Sequence, residues 1–157
     1  MAPSLLDIAS ALAETGHAGQ CDKAGQPYIE HLRRVASYVD QDDHEAIAAA
    51  LLHDYLEDHA GTPDHLDEAG IPTRVVDVIR ALDRTGKPTD RYYAQIRQHP
   101  AALEVKLADL ADNTDPHRLA ELPPEVAGKL KAKYAAAYAA LGVDPDDGER
   151  RRNRVPR

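Results

Sequence analysis

The segment that most constrains the fold is an apolar run that leads directly into a cluster of ionisable side chains. Residues 46–52 read AIAAALL and residues 53–58 read HDYLED. Alanine and leucine are strong helix formers. If the helix continues through residue 58, four ionisable side chains share one face, because residues three and four apart are neighbours on a helix. They are His53, Asp54, Glu57 and Asp58.

The remainder of the chain predicts further helices and no strands. Apolar residues recur at helical spacing, and β-branched residues form no alternating runs. With 157 residues, the chain is long enough for one domain with a real core. The sequence therefore predicts an all-α, single-domain bundle of several helices. The predicted helices cover roughly residues 4–16, 29–39, 43–58, 72–83, 90–98, 101–114 and 126–141, with a short helical turn near 63–66.

The two ends of the chain differ in composition. The chain has no Phe and no Trp, so Ala, Leu, Val, Ile and Tyr must fill the core of the domain, which we expect to span residues 1–143. Residues 144–157 contain four acids, five arginines and a single apolar side chain, Val155. A segment with so little apolar surface cannot offset its ordering entropy by burial. We therefore expect residues 144–157 to be a disordered tail.

The overall charge and hydropathy exclude several classes of partner. The formal net charge is -8, which disfavours nucleic-acid binding because that needs a basic surface. No apolar run approaches the length of a membrane span, and the N-terminus lacks signal-peptide features. A cytoplasmic location is the resulting expectation. A single cysteine, Cys21, excludes an intrachain disulfide, and nothing in the sequence indicates an oligomeric state.

Two aspartates lie within apolar helical stretches, which raises the question of what compensates their charge. Asp54 follows residues 46–52, and Asp109 stands between Leu107-Ala108 and Leu110. A carboxylate without a partner is costly to bury, and a bound cation would compensate it. The alternative is that both are exposed carboxylates on amphipathic helices. Spacing alone leaves these two interpretations equally open.

Three motifs, taken in order, resemble a known family. They are GQPYIEH at 25–31, LLHDYLED at 51–58 and VKLADLADN at 105–113. Together they are similar to the hydrolase domain of RelA/SpoT proteins, in the HD phosphohydrolase superfamily, and a chain of this size is similar to small alarmone hydrolases of the metazoan SpoT type. The resemblance covers roughly residues 5–142 and implies an HD-domain helical bundle.

The resemblance also implies roles for nine side chains. It implies one divalent ion per chain, usually Mn²⁺, with Zn²⁺ or another divalent ion as the alternative. The implied metal ligands are His31, His53, Asp54 and Asp109. The residues implied to orient and activate the attacking water are Glu57 and Asp58. The implied substrate contacts are Lys23, Asn113 and Tyr28.

The activity implied by the resemblance is hydrolysis of ppGpp, a nucleotide substrate, to GDP and pyrophosphate. One departure bears on the base: the family has an arginine that stacks on it, where this chain has Asp22. An acid cannot stack as a guanidinium does. Asp22 favours the alternative of another phosphorylated nucleotide, either an adenine alarmone or a 2′- or 3′-phosphorylated cofactor. A non-catalytic nucleotide sensor is disfavoured, because all four implied ligands and both acids are present.

Overall fold

A computed structural model describes residues 1–156, and these residues form ten α-helices and no strand. The predicted all-α class is therefore confirmed. None of these helices is both long enough and apolar enough to cross a bilayer. The helix α8 follows the break at Asp115-Pro116 and was not predicted. The helices are α1 Leu5–Gly16, α2 Tyr28–Ser37, α3 His44–Leu52, α4 Pro63–Glu68, α5 Thr73–Ala81, α6 Thr89–Arg97, α7 Pro100–Asn113, α8 Pro116–Ala120, α9 Pro124–Leu141 and α10 Asp146–Asn153.

Helix α3 is the centre of the bundle. It packs against α1, α2, α5 and α7, and every residue from Ala48 to Leu52 is buried. Alanine side chains let neighbouring helices approach closely, which explains how a core without Phe or Trp can pack densely. Tyrosines supply the largest buried side chains, led by Tyr92 and Tyr138. The predicted makeup of the core is therefore confirmed.

The predicted continuation of α3 through residue 58 is wrong. The helix ends at Leu52, and residues 53–59 form successive hydrogen-bonded turns. The backbone N–H of Asp58 still donates to the carbonyl of Asp54, at 2.9 Å. The segment turns away at His59, whose φ of 58° is in the left-handed region. The local bonding keeps the acids close to His53 although the regular helix has ended.

The expectation of a disordered segment over residues 144–157 is also wrong for the part that the structure describes. Helix α10 packs against α7. Its anchor is Arg151, a buried side chain whose guanidinium donates to both carboxylate oxygens of Glu104, at 2.9 and 3.0 Å. It also bonds Asp147 and the carbonyl of Tyr38. Ion pairs, and not apolar contacts, thus attach α10 to the bundle. Arg157 lies outside the described residues.

Replacing Arg151 by alanine is expected to detach α10 and destabilise the protein by about 1–3 kcal/mol, because it removes a buried cation from two carboxylates that are partly exposed. Chemical denaturation measures the stability, and amide hydrogen exchange reports the detachment. Arg150, exposed on the same helix, provides the matched control: Arg150→Ala should leave both measurements unchanged. Equal effects of the two variants would contradict the anchoring role.

Candidate metal centre

The four side chains predicted as metal ligands converge from three parts of the bundle. His31 lies on α2, His53 and Asp54 follow α3, and Asp109 lies on α7. Asp109 Oδ1 is 3.2 Å from His31 Nε2 and 3.4 Å from His53 Nε2. Asp54 Oδ2 is 3.1 Å from His53 Nε2 and 4.0 Å from His31 Nε2. Atoms bound about 2.1 Å from one ion lie about 3 Å apart at right angles, so these spacings suit a shared ion.

The hydrogen bonds of the two histidines leave the converging nitrogens free to act as ligands. His31 Nδ1 lies 2.6 Å from Asp112 Oδ2, and His53 Nδ1 lies 2.7 Å from the carbonyl of Ala50. In each neutral ring Nδ1 therefore carries the proton and Nε2 carries the lone pair. The buried Nε2 of His53 has no hydrogen-bond partner of its own. A buried nitrogen without a hydrogen-bond partner, next to carboxylate oxygens, fits a ligand of a divalent cation.

The surroundings of these residues favour positive charge at the site. Burial alone would lower the pKa of His53, but the carboxylates of Asp54 and Asp109 raise it well above the ordinary value. Burial acts in the same direction on His31, and Asp109 and Asp112 likewise raise its pKa. The pKa of Asp109 is lowered well below its usual range: burial would raise it, but nearby Lys106, His31 and His53 outweigh that. The carboxylates thus favour the charged form of both histidines.

Metal affinity is therefore expected to fall as the pH decreases. An imidazole must be neutral to bind a metal, so protons compete with the ion. The carboxylates raise the pKa of both histidines above 6.5, so the competition begins at a higher pH than for a free imidazole. Titrating Mn²⁺ into the protein at several pH values should show affinity rising up to about tenfold per pH unit for each proton displaced. Affinity that does not change with pH would contradict ligation by His31 and His53.

The two predicted water-activating acids lie beside the donor set. Oxygen atoms of Asp54, Glu57 and Asp58 come within 4.8 Å of one another. Glu57 accepts the backbone N–H of Arg84 at 2.9 Å, and Asp58 accepts from Gln20 Nε2 at 2.9 Å. Burial raises the pKa of both acids, with the charge of Asp54 adding to the effect. A carboxylate with a raised pKa is a better proton acceptor near neutral pH.

The three predicted substrate contacts lie in the same cleft with different partners. The hydroxyl of Tyr28 donates to Asp54 Oδ2, and Asn113 Nδ2 donates to Asp109 Oδ1 at 3.0 Å. Both therefore orient candidate metal ligands. Lys23 is exposed and lines the cleft. All nine predicted site residues thus surround one cleft of about 340 Å³.

The walls of this cleft carry opposite charges. Carboxylates gather around the candidate metal centre, and five cations also line the cleft, although the chain as a whole is acidic. These cations are Lys23, Arg84, Lys106, Arg118 and Lys133. A cation-binding end and a cationic wall together suit a substrate with several negative charges, because the wall concentrates anions near the reactive end.

Comparison with known proteins identifies the family of this chain. The HD domain family model matches residues 9–143. The chain belongs to the HD domain family. It is 33% identical over 141 residues to a guanosine-3′,5′-bis(diphosphate) 3′-pyrophosphohydrolase of Haemophilus influenzae, covering 83% of this chain and 21% of that one. It is 32% identical over 152 residues to a probable GTP pyrophosphokinase of Mycobacterium leprae, covering 88% of this chain and 19% of that one.

The HD domain described here thus spans about a fifth of the length of these curated relatives. A solved structure of a metazoan orthologue of SpoT, described as hydrolysing ppGpp, matches with a TM-score of 0.75 at 20% sequence identity. The match covers 98% of this chain and 95% of that one. At this identity the match shows a shared fold.

The sequence did not predict the residues that hold His31 on the side of its ring facing away from the candidate metal ion. Asp112 is completely buried and accepts from Arg34 Nε at 2.7 Å and from Arg118 at 2.8 Å, in addition to its bond with His31. Its position three residues after Asp109 places it within the same motif. Only the fold, however, brings Arg34, 78 positions away, onto the same carboxylate.

Asp22, the residue that departs from the pattern of the resembled family, has a structural role. Its Oδ1 accepts the backbone N–H groups of Ala24 and Gln26, each at 2.9 Å, and so closes the turn of the loop. Its Oδ2 accepts from Arg118 at 3.0 Å. Arg118 therefore links this loop to Asp112 and, through it, to His31. The side chain that departs from the family pattern is thus tied to the support of the metal centre.

Proposed function

We propose that this HD domain is a Mn²⁺-dependent pyrophosphohydrolase that releases pyrophosphate from the 3′ position of ppGpp. The observation that carries the proposal is the set of four converging ligands, with Glu57 and Asp58 beside it, in a cleft lined with cations. Relatives named as ppGpp 3′-pyrophosphohydrolases support the choice of substrate. A nucleotide substrate makes the cytoplasm the proposed place of action.

The side chains of the domain would divide the work as follows. His31, His53, Asp54 and Asp109 would hold the ion, which when bound supplies charge neutralisation and lowers the pKa of water. Glu57 and Asp58, with their raised pKa values, would accept the proton of the attacking water. The hydrogen bonds from Gln20 and from the backbone of Arg84 keep the two carboxylates in place for that step.

Lys23 would contact the anionic groups of the substrate, and Asn113 its ribose. The product pair would be GDP and pyrophosphate. Because Asp22 is engaged by Arg118 and by its own loop, this position supplies no guanidinium to stack on a guanine. An adenine alarmone, or a 2′- or 3′-phosphorylated cofactor, is therefore the second candidate class of substrate.

The proposal is tested by measuring pyrophosphate or phosphate release with Mn²⁺ from three substrates: ppGpp, ppApp and a 2′-phosphorylated dinucleotide. We expect ppGpp to be hydrolysed. Equal rates with ppApp would remove guanosine specificity and retain the reaction class. No turnover of any of the three would overturn the proposal in favour of a nucleotide sensor.

Glu57→Gln is expected to lower kcat about a hundredfold or more while Mn²⁺ affinity stays close to that of the wild type, because the amide keeps the shape but cannot accept a proton. Asp58→Asn is the companion variant. Glu68, exposed on α4, provides the control: Glu68→Gln should match the wild type in both measurements. A Glu57→Gln enzyme with nearly full activity would refute the proposed role of Glu57.

A further inference from the structure

His17 is a buried histidine that the proposed chemistry does not use. Its side chain has no exposed surface, and its Nδ1 lies 2.8 Å from Oε1 of Gln20. The other ring nitrogen, Nε2, has no hydrogen-bond partner among residues 1–156. His17 directly follows α1, and its backbone N–H donates to the carbonyl of Ala13 at 3.0 Å. A buried polar ring with one partner raises the question of what that partner does.

Gln20 connects His17 with a proposed catalytic acid. Its Nε2 donates to Oδ2 of Asp58 at 2.9 Å. The direct distance from His17 Nδ1 to that oxygen is 3.9 Å, which is too long for a hydrogen bond. The backbone of Gln20 is held as well, because its carbonyl accepts the N–H of Tyr28 at 2.8 Å. His17 therefore acts on Asp58 only through the side-chain amide of Gln20.

The chemistry of the three groups fixes the direction of both hydrogen bonds. An ionised carboxylate only accepts, so Gln20 must present its Nε2 to Asp58 and its Oε1 to His17. An amide oxygen also only accepts, so the proton of the His17 ring must be on Nδ1. The surroundings of Nε2 agree, because a proton there would make a buried N–H without an acceptor. His17 is therefore the donor to Gln20.

Rotating the Gln20 amide by half a turn would reverse this arrangement. The two orientations of a glutamine amide have nearly the same shape, so packing alone does not choose between them. The rotated amide would place its oxygen against the carboxylate of Asp58, and two facing acceptors repel each other. The N–H of His17 disfavours that orientation, because it would then face the NH₂ group of Gln20 and find no acceptor.

We propose that His17 is a positioning residue, which holds the Gln20 amide in the orientation that donates to Asp58 and thereby fixes this carboxylate for the attacking water. The inference rests on the proposed function, in which Asp58 accepts a proton of that water. Without His17, Asp58 would lose its charge-assisted hydrogen bond whenever the amide is rotated. Because other side chains would bind the metal and the substrate, we expect the loss in kcat alone.

Packing is the competing explanation for the burial of His17. The centre of its ring lies 5.4 Å from that of Tyr28, and the hydroxyl of Tyr28 donates to Asp54. Loss of packing at His17 would therefore act on a candidate metal ligand and weaken Mn²⁺ binding. Loss of the donor would act on Asp58 and leave Mn²⁺ binding unchanged. The two explanations thus differ in the quantity that they affect.

The first experiment requires neither metal nor turnover. Nitrogen NMR of the wild type at mildly alkaline pH reports which ring nitrogen of His17 carries the proton, and we expect Nδ1. Hydrogen exchange of the Gln20 side-chain amide should be about tenfold faster in His17→Leu, because leucine fills the space but cannot donate. A proton on Nε2, or unchanged exchange in His17→Leu, would overturn the inference, whether or not the protein hydrolyses ppGpp.

The second experiment measures kcat, KM and Mn²⁺ affinity with ppGpp for His17→Leu and His17→Asn. Asparagine places an N–H near the position of Nδ1 but leaves a larger cavity than leucine does. His17→Leu should lower kcat about tenfold, with KM and Mn²⁺ affinity within about twofold of the wild type. His17→Asn should recover most of kcat. Gln26, an exposed residue of the same loop that does not line the cleft, provides the control, and Gln26→Leu should match the wild type.

A packing role predicts the opposite order, with His17→Asn slower than His17→Leu and Mn²⁺ affinity reduced in both, and this result would overturn the inference. In a Gln20→Leu background, His17→Leu should cost no further activity, because residues that act in series are not additive. A second, independent loss there would contradict transmission through Gln20. If the wild type hydrolyses no phosphorylated nucleotide, the proposed function fails, and the NMR experiment still decides whether His17 orients Gln20.

Discussion

Replacing His53 by alanine is expected to abolish stoichiometric Mn²⁺ binding and to lower hydrolysis at least about a thousandfold. A bound metal contributes several kcal/mol to the stabilisation of a hydrolytic transition state, and each 1.4 kcal/mol is about a factor of ten in rate. His53 is buried, and its Nε2 lies within 3.4 Å of both Asp54 and Asp109. Metal analysis of the purified protein and a ppGpp hydrolysis assay measure the two effects.

His44 provides the matched control for this variant. It stands at the start of α3, the helix that ends just before His53, and its side chain is exposed. His44→Ala should bind Mn²⁺ and turn over substrate as the wild type does. A His53→Ala protein that still bound one ion per chain would show that the metal centre has been misassigned.

Replacing Asp112 by alanine is expected to weaken Mn²⁺ binding about 10–100-fold and to destabilise the protein by about 2–4 kcal/mol. A carboxylate behind a metal-binding histidine fixes the ring and its tautomer, which explains the effect on affinity. The loss of stability follows because Arg34 and Arg118 would lose their shared partner. These arginines are partly exposed, at 34% and 24%, so water offsets part of the cost.

Denaturant unfolding of the metal-free protein and Mn²⁺ titration distinguish these two consequences of losing Asp112. Asp112→Asn keeps the size of the side chain and should recover part of the stability but little of the metal affinity. Asp67, an exposed acid on α4, provides the control, and Asp67→Ala should change neither quantity. Wild-type affinity in Asp112→Ala would mean that His31 needs no support from behind.

The sequence predicts the helical class and the side chains of the cleft because both depend on local signals. Helical spacing and the Gly and Pro breaks locate most helices. Three short motifs contain eight of the nine candidate residues, and Lys23 lies two positions before the first motif. The sequence did not predict the roles of Asp112 and Arg118, because these roles depend on contacts across 81 and 96 positions. No local pattern distinguishes a buried acid with three partners from an exposed acid on the same helix.

The C-terminal helix α10 was not predicted from the sequence, for a different physical reason. Sequence reasoning equates order with apolar burial, and residues 144–157 offer almost none. Arg151 instead gives α10 its attachment through paired carboxylates and a backbone carbonyl. Arg152 adds bonds to the carbonyl of Ala111 and to Thr114, at the end of α7. A highly charged segment can thus be ordered when its charges meet partners on another helix.

The link between Asp22 and Arg118 restricts how base recognition in this protein could evolve. An arginine introduced at position 22 would lose the turn that Asp22 closes and would place a second guanidinium against Arg118. Arg118, in turn, could not be given up without disturbing Asp112. The two positions are therefore expected to be coupled: Asp22→Arg should cost less stability in a protein whose Arg118 has already been replaced than in the wild type.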